Sequence, residues 1–200
     1  MRDNPFKRVA QRIERHYSTP LMLVLLLASA GFFWLFNSSA LPLSNPELKK
    51  LSRGQGLLDL RWYYTAEEAF TILCRYGTAG RELYLRFLAA DFVFIPVYSL
   101  GFAFLMTRAV RAVCAQGNSW LWLNLLPFGI GIFDTVEDLC ILVMLSFYPD
   151  TAVVFGTLSG IATLCKSVLT LLTLLSLGCI GLIWLMRRLG FKLSAAQRQQ

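Results

Sequence analysis

Long uninterrupted apolar runs alternate with short polar segments along this chain. The first run, Leu21 to Phe36 (LMLVLLLASAGFFWLF), carries no charge and predicts a helix over 21–37. At about 1.5 Å per residue it is just long enough to cross a bilayer core. A second run covers 83–113 and contains Arg86, Asp91 and Pro96. A third covers 120–148, with Pro127, Asp134, Glu137 and Asp138. A fourth covers 151–188 and is broken only by Lys166 before its basic end. These runs are too long and too unalternating for barrel strands, and membrane helices tolerate internal Gly and Pro. The expected fold is therefore all-α: an integral membrane four-helix bundle.

The segments between the runs complete the layout. Residues 1–20 form a basic N-terminal segment, 38–82 an outer loop and 189–200 a tail. Within the loop, Thr65 is an expected N-cap, and Glu67 and Glu68 suit the first turn of a helix. Phe70, Leu73 and Cys74 then give an apolar stripe. A short amphipathic helix over about 65–76 is expected, ended by Gly77 and lying on the membrane surface; a lid over the bundle's outer mouth is the sharper alternative. Ser38-Ser39-Ala40 resembles a signal-peptidase site, so cleavage after the first run is a rival to an uncleaved anchor. The long apolar stretch and its twenty-residue basic lead favour the anchor.

Composition agrees with this reading. Of the 200 residues 56% are hydrophobic and only 16% charged, against about 25% in soluble domains. Mean hydropathy is +0.55. The net charge of +7 speaks to orientation rather than to nucleic acid. With the N-terminus inside, residues 1–20, 108–119 and 187–200 are cytoplasmic and hold eleven Lys and Arg against two acids, Asp3 and Glu14. Residues 38–86 hold seven basic and five acidic residues. The positive-inside rule then sets both termini in the cytoplasm. The basic residues of the termini (Arg2, Lys7, Arg8, Arg12, Arg15; Arg187, Arg188, Lys192, Arg198) would meet anionic headgroups. The expected location is a bacterial inner membrane or an equivalent plasma membrane or endomembrane. Expected partners are the lipid bilayer and other membrane-protein subunits, with no nucleic acid.

Chemistry enters through charges inside the apolar runs. Asp91, Asp134, Glu137, Asp138 and Lys166 each cost several kcal/mol at such depth unless paired, hydrated or neutralised, so they should face the bundle interior. Asp134, Glu137 and Asp138 are spaced i, i+3, i+4 and share one helix face. The turn between the third and fourth runs centres near Asp150, which puts Asp134 and Lys166 at one depth and predicts an ion pair. Asp91 comes level with about residue 139 across the preceding turn. Tyr84, Asp91 and Tyr98 align on the second run, and Ser159, Thr163, Lys166, Thr170 and Thr173 on the fourth. The candidate site is thus a polar seam of Asp91, Asp134, Glu137, Asp138, Lys166, Tyr98, Thr163 and Thr170, with Arg86 as a second cation reaching down. The first helix, bearing no charge, is expected at the periphery.

One Lys does not balance four carboxylates. Protonation or a hard divalent cation, Mg²⁺, Ca²⁺ or Mn²⁺, would supply the balance; no other cofactor is expected. The lone His16 excludes a site built from several histidines, and Cys74, Cys114, Cys140, Cys165 and Cys179 form no C-x-x-C pair. No Ser-His-Asp set, nucleophile elbow, H-E-x-x-H, P-loop or dinucleotide fingerprint is present. The expected role is a structural, assembly or ligand-binding membrane module. The alternatives are a transporter of protons, cations or polar headgroups, and a metal-dependent lipid-modifying enzyme.

Overall fold

A computed structural model describes residues 5–39, 41–114 and 119–197, with side chains up to residue 190. Arg2, Asp3, Ala40 and Arg198, and the side chain of Lys192, lie outside the described residues. The described chain is all-helical: α1 Pro5–His16, α2 Thr19–Asn37, α3 Asn45–Leu51, α4 Ala66–Val113, α5 Leu126–Phe147 and α6 Val153–Gln197. Short 3-10 turns at Leu58–Leu60 and Ser119–Leu125 precede α4 and α5.

Local sequence explains the boundaries. Ser44 caps α3 by accepting from the Glu47 amide at 3.3 Å. Thr65 and Glu68 form a reciprocal capping box at the start of α4, 3.2 Å and 2.7 Å. Pro127 stands in the first turn of α5, where a missing amide proton costs nothing, so the α-helix opens at Leu126 rather than at 120. The 120–125 end of the third apolar run is the 3-10 turn. The fourth run becomes α6, which starts at Val153 and continues to Gln197, into the segment expected as a tail.

α4 differs most from expectation. It runs for 48 residues without a loop before 83, but Gly77 interrupts it at φ 63°, ψ −174°. That backbone is open to glycine and strained for other residues. The break re-aims an outer segment, 66–76, relative to the long segment 78–113. The outer segment is not a helix resting on a surface. Ala69, Ile72, Leu73 and Tyr76 are buried against Leu48, Leu58, Ile141 and Met144. Gly156 and Gly160 permit this, because α6 passes close to α4's start: a Cβ on Gly156 would lie 2.9 Å from Ala66 Cα, and one on Gly160 would collide with the Tyr64 carbonyl oxygen.

α4 is the hub, packing on α2, α5 and α6, while α5 and α6 form an antiparallel hairpin. Gly131 brings α5 against α4 at Ser99. At the far end, Asn124 Nδ2 donates to the Ala10 carbonyl and to Thr107 Oγ1, both 3.1 Å. Arg111 pairs with Glu14 at 3.0 Å, so α1 is tied to the same end as the 3-10 turn.

Among the described residues three helices are long and apolar enough to cross a membrane: α2, α4 and α6 over Val153–Gly190. Leu171, Leu172, Leu174, Leu175 and Leu182 of α6 are exposed, a continuous apolar surface that water would penalise. α5 has 22 residues, about 33 Å, but its three acids interrupt its hydropathy.

Candidate functional site

α5 presents Asp134, Glu137 and Asp138 on one buried face between α4 and α6. Lys166 of α6 reaches across and pairs with two of them, its Nζ 2.7 Å from Asp134 Oδ1 and 2.6 Å from Glu137 Oε2. The second oxygen of each partner is also occupied. Tyr98 of α4 donates to Asp134 Oδ2 at 2.6 Å. Thr163 and Tyr64 donate to Glu137 Oε1 at 2.6 Å and 3.1 Å. Tyr64 lies 2.5 Å from Ser159 Oγ as well. Three helices and the segment before α4 are thereby joined through one ammonium and two carboxylates. A buried charge set of this kind survives only when most lone pairs have partners.

Among the described residues the remaining acids have no such partners. Single oxygens of Asp91, Asp134 and Asp138 lie within 4.8 Å of one another. Asp138 is 1% exposed, and both of its carboxylate oxygens lack a hydrogen-bond partner. Asp91 is half-buried beside it.

These carboxylates border a cavity of about 550 Å³. Its walls come from α2 (Phe33, Phe36), α4 (Phe87, Phe94) and α6 (Leu171, Leu174). Its outer end is closed by the segment containing Asp59, Arg61 and Trp62. α2 and α6 both flank α4 without packing extensively on each other, so the gap between them opens the cavity sideways. The outer segment is pinned in place. Leu57 N donates to Asn45 Oδ1 at 3.1 Å, Leu58 N to the Tyr84 hydroxyl at 3.2 Å, and Tyr76 to the Gly56 carbonyl at 2.7 Å.

The same pinning carries Asp59 into the cavity. Burial pushes its carboxyl up to about 7, opposed by Lys166 and reinforced by the charges of Glu137 and Asp134. Asp59 Oδ1 has no hydrogen-bond partner among the described residues. Burial, and secondarily Glu137, raise the Tyr64 phenol well above its ordinary value, so Tyr64 remains a donor.

The structure brings Asp91, Asp134, Glu137, Asp138, Lys166, Tyr98 and Thr163 together. It leaves two expected members out. Arg86 is exposed, since the cavity-facing side of α4 at this level is Tyr84, Phe87, Leu88 and Asp91; it supplies no second cation. Thr170 donates to the Lys166 carbonyl at 2.8 Å and stands at the cavity rim, touching no carboxylate through its hydroxyl. α2 flanks the bundle but is not a bystander, because Phe33 and Phe36 form a cavity wall. Sequence reading missed Tyr64 and Asp59. The apolar–polar alternation around Asp59 and the aromatic run Trp62-Tyr63-Tyr64 were the available signals, yet a loop has no periodicity to aim them.

Comparisons with protein-family models, with curated proteins and with solved structures find no match to this chain.

Proposed function

We propose that this chain is a multi-pass membrane protein that binds an amphiphile in the cavity between α2, α4 and α6. α2, the long segment of α4, α5 and α6 are its four crossings, and both termini are cytoplasmic. The apolar residues facing outward on α6 and the basic residues gathered at one end, Arg108 and Arg111 against Tyr17 and Glu14 and Arg187 against Val113, support this layout. In a membrane the acid-bearing face of α5 is shielded from lipid by α4 and α6, which makes its three acids tolerable there.

One observation carries the binding reading: a 550 Å³ space with aromatic and aliphatic walls, open sideways, ending on carboxylates. Apolar walls with a few converging polar groups are the usual form of a small-molecule site. A side opening at hydrocarbon depth suits a ligand that arrives within the bilayer, its chain between Phe33 and Leu174 and its polar end toward Asp91 and Asp138. Passage across the membrane is less well supported. Beyond Phe102 the bundle is closed by Met106, Val110, Val113 and Ile180, packed to 7% exposure or less. A proton or ion leaving the carboxylates would meet this apolar plug.

Native mass spectrometry of the full chain, released from mild detergent, tests the reading. The expected result is one lipid-mass adduct per chain. Leu88→Trp, which fills the cavity, should remove it, and Leu164→Trp on the outer face should not. Absence of the adduct, or indifference to Leu88→Trp, counts against the proposal.

A further inference from the structure

We infer that Asp91, Asp134 and Asp138 hold a hard divalent cation at the polar end of the cavity. The inference deepens the amphiphile reading and rests on it for the cavity's polar role. Lys166 is already committed to Asp134 Oδ1 and Glu137 Oε2, on the α6 side of α5. Among the described residues no cation pairs with Asp91 or Asp138, and two carboxylate charges are what one divalent ion balances.

Asp138 is the independent pointer. A carboxylate that is 1% exposed, with neither oxygen hydrogen-bonded, carries its full desolvation cost uncompensated. Asp138 belongs to the cavity lining, and one of its oxygens stands within 4.8 Å of oxygens of both Asp91 and Asp134. The spacing agrees with an ion. Three oxygens no more than 4.8 Å from one another lie at most about 2.8 Å from a common centre, so a contraction of a few tenths of an ångström brings them to the ~2.4 Å of Ca²⁺ ligands, and a larger one to Mg²⁺ or Mn²⁺ distances. Asp134 contributes without releasing Lys166 or Tyr98, because each carboxylate oxygen has a second lone pair. An all-carboxylate donor set selects hard ions over zinc or copper. Oxygens of water or of the bound amphiphile would complete the coordination.

The test is Mn²⁺ binding to the chelator-treated full chain in detergent micelles at pH 7.5, read from the loss of the free-ion electron paramagnetic resonance signal. One Mn²⁺ per chain is expected, with Kd below roughly 100 µM, displaced by Ca²⁺ or Mg²⁺. Asp138→Asn should weaken binding at least about tenfold, the loss of one charged ligand, while Asp150→Asn, in the exposed turn, leaves it unchanged. No bound Mn²⁺ in the wild type, or wild-type affinity in Asp138→Asn, overturns the inference. If Asp138→Asn fails to give a folded, monodisperse protein, Asp91→Asn decides on the same criterion. The lipid adduct is measured separately in EDTA. An adduct without Mn²⁺ binding removes the cation alone, and Mn²⁺ binding without an adduct removes the amphiphile alone.

Discussion

Lys166 Nζ lies 2.7 Å from Asp134 Oδ1, although thirty-two residues separate them. The α5–α6 hairpin sets the two at one level, and the same ammonium reaches Glu137 at 2.6 Å. One cation is shared by two acids, each of which is held by a further hydroxyl.

That sharing makes Lys166 hard to replace. Lys166→Met leaves two buried carboxylates without their cation and should destabilise the protein by about 3–5 kcal/mol. Lys50→Met removes only an exposed pair with Glu47 and should cost about 0.5 kcal/mol or less. Unfolding of the two variants in mixed micelles measures the difference; equal costs would show that the buried pair contributes nothing.

Tyr64 holds the outer segment to the site through Glu137 and Ser159. Tyr64→Phe keeps the ring and loses both contacts, for an expected cost of about 1–3 kcal/mol, because a hydrogen bond to a buried charged group is lost. Tyr63→Phe, at an exposed ring, should be silent. The same unfolding assay compares them, and protease cleavage between residues 52 and 65 should accelerate only for Tyr64→Phe.

Gly77 has open space around its would-be Cβ, so its constraint is conformational. Gly77→Ala must adopt φ 63°, ψ −174° or straighten the break, and a loss of about 1–3 kcal/mol is expected. Gly178→Ala, equally uncrowded but helical, should be tolerated. Thermal denaturation followed by circular dichroism separates the two.

Asp59 predicts a pH dependence. Its carboxyl is pushed up to about 7 in the folded protein, against about 3.9 when unfolded. The folded state therefore holds this proton more tightly, and its contribution to stability is full below about pH 4 and is lost as pH rises through about 7. Asp59→Asn keeps a neutral side chain at every pH. Its stability relative to wild type should rise between pH 5 and pH 8, by an amount on the order of 1 kcal/mol after allowance for partial exposure. A constant difference across that range would mean that Asp59 does not titrate there.

Helix content followed from the chain's own pattern. Apolar runs of this length have few ways to satisfy their backbone except as helices, and the described residues are all-helical. The spacing of Asp134, Glu137 and Asp138 put them on one face because helical periodicity is local. The depth match of Asp134 and Lys166 needed only a tight turn and counting outward from Asp150. Orientation around an axis was less accessible. Arg86 and Asp91 share α4, yet only packing against α2 and α5 decides which of its faces looks inward. Thr170 stands one turn past Lys166 and misses the carboxylates for the same reason.

Helices, their apolar surfaces and the level at which acids and lysine meet were legible along the chain, since these depend on periodicity and on the cost of stranded charge. That the segment of Asp59 and Tyr64 folds down onto that level, that α2 and α6 stand apart around a cavity, and that Asp138 lies beside it without a hydrogen-bond partner among the described residues emerged from the packing. Those outcomes depend on long-range contacts, above all the close approach of Gly156 and Gly160 to Ala66 and Tyr64, which no local pattern along the chain encodes.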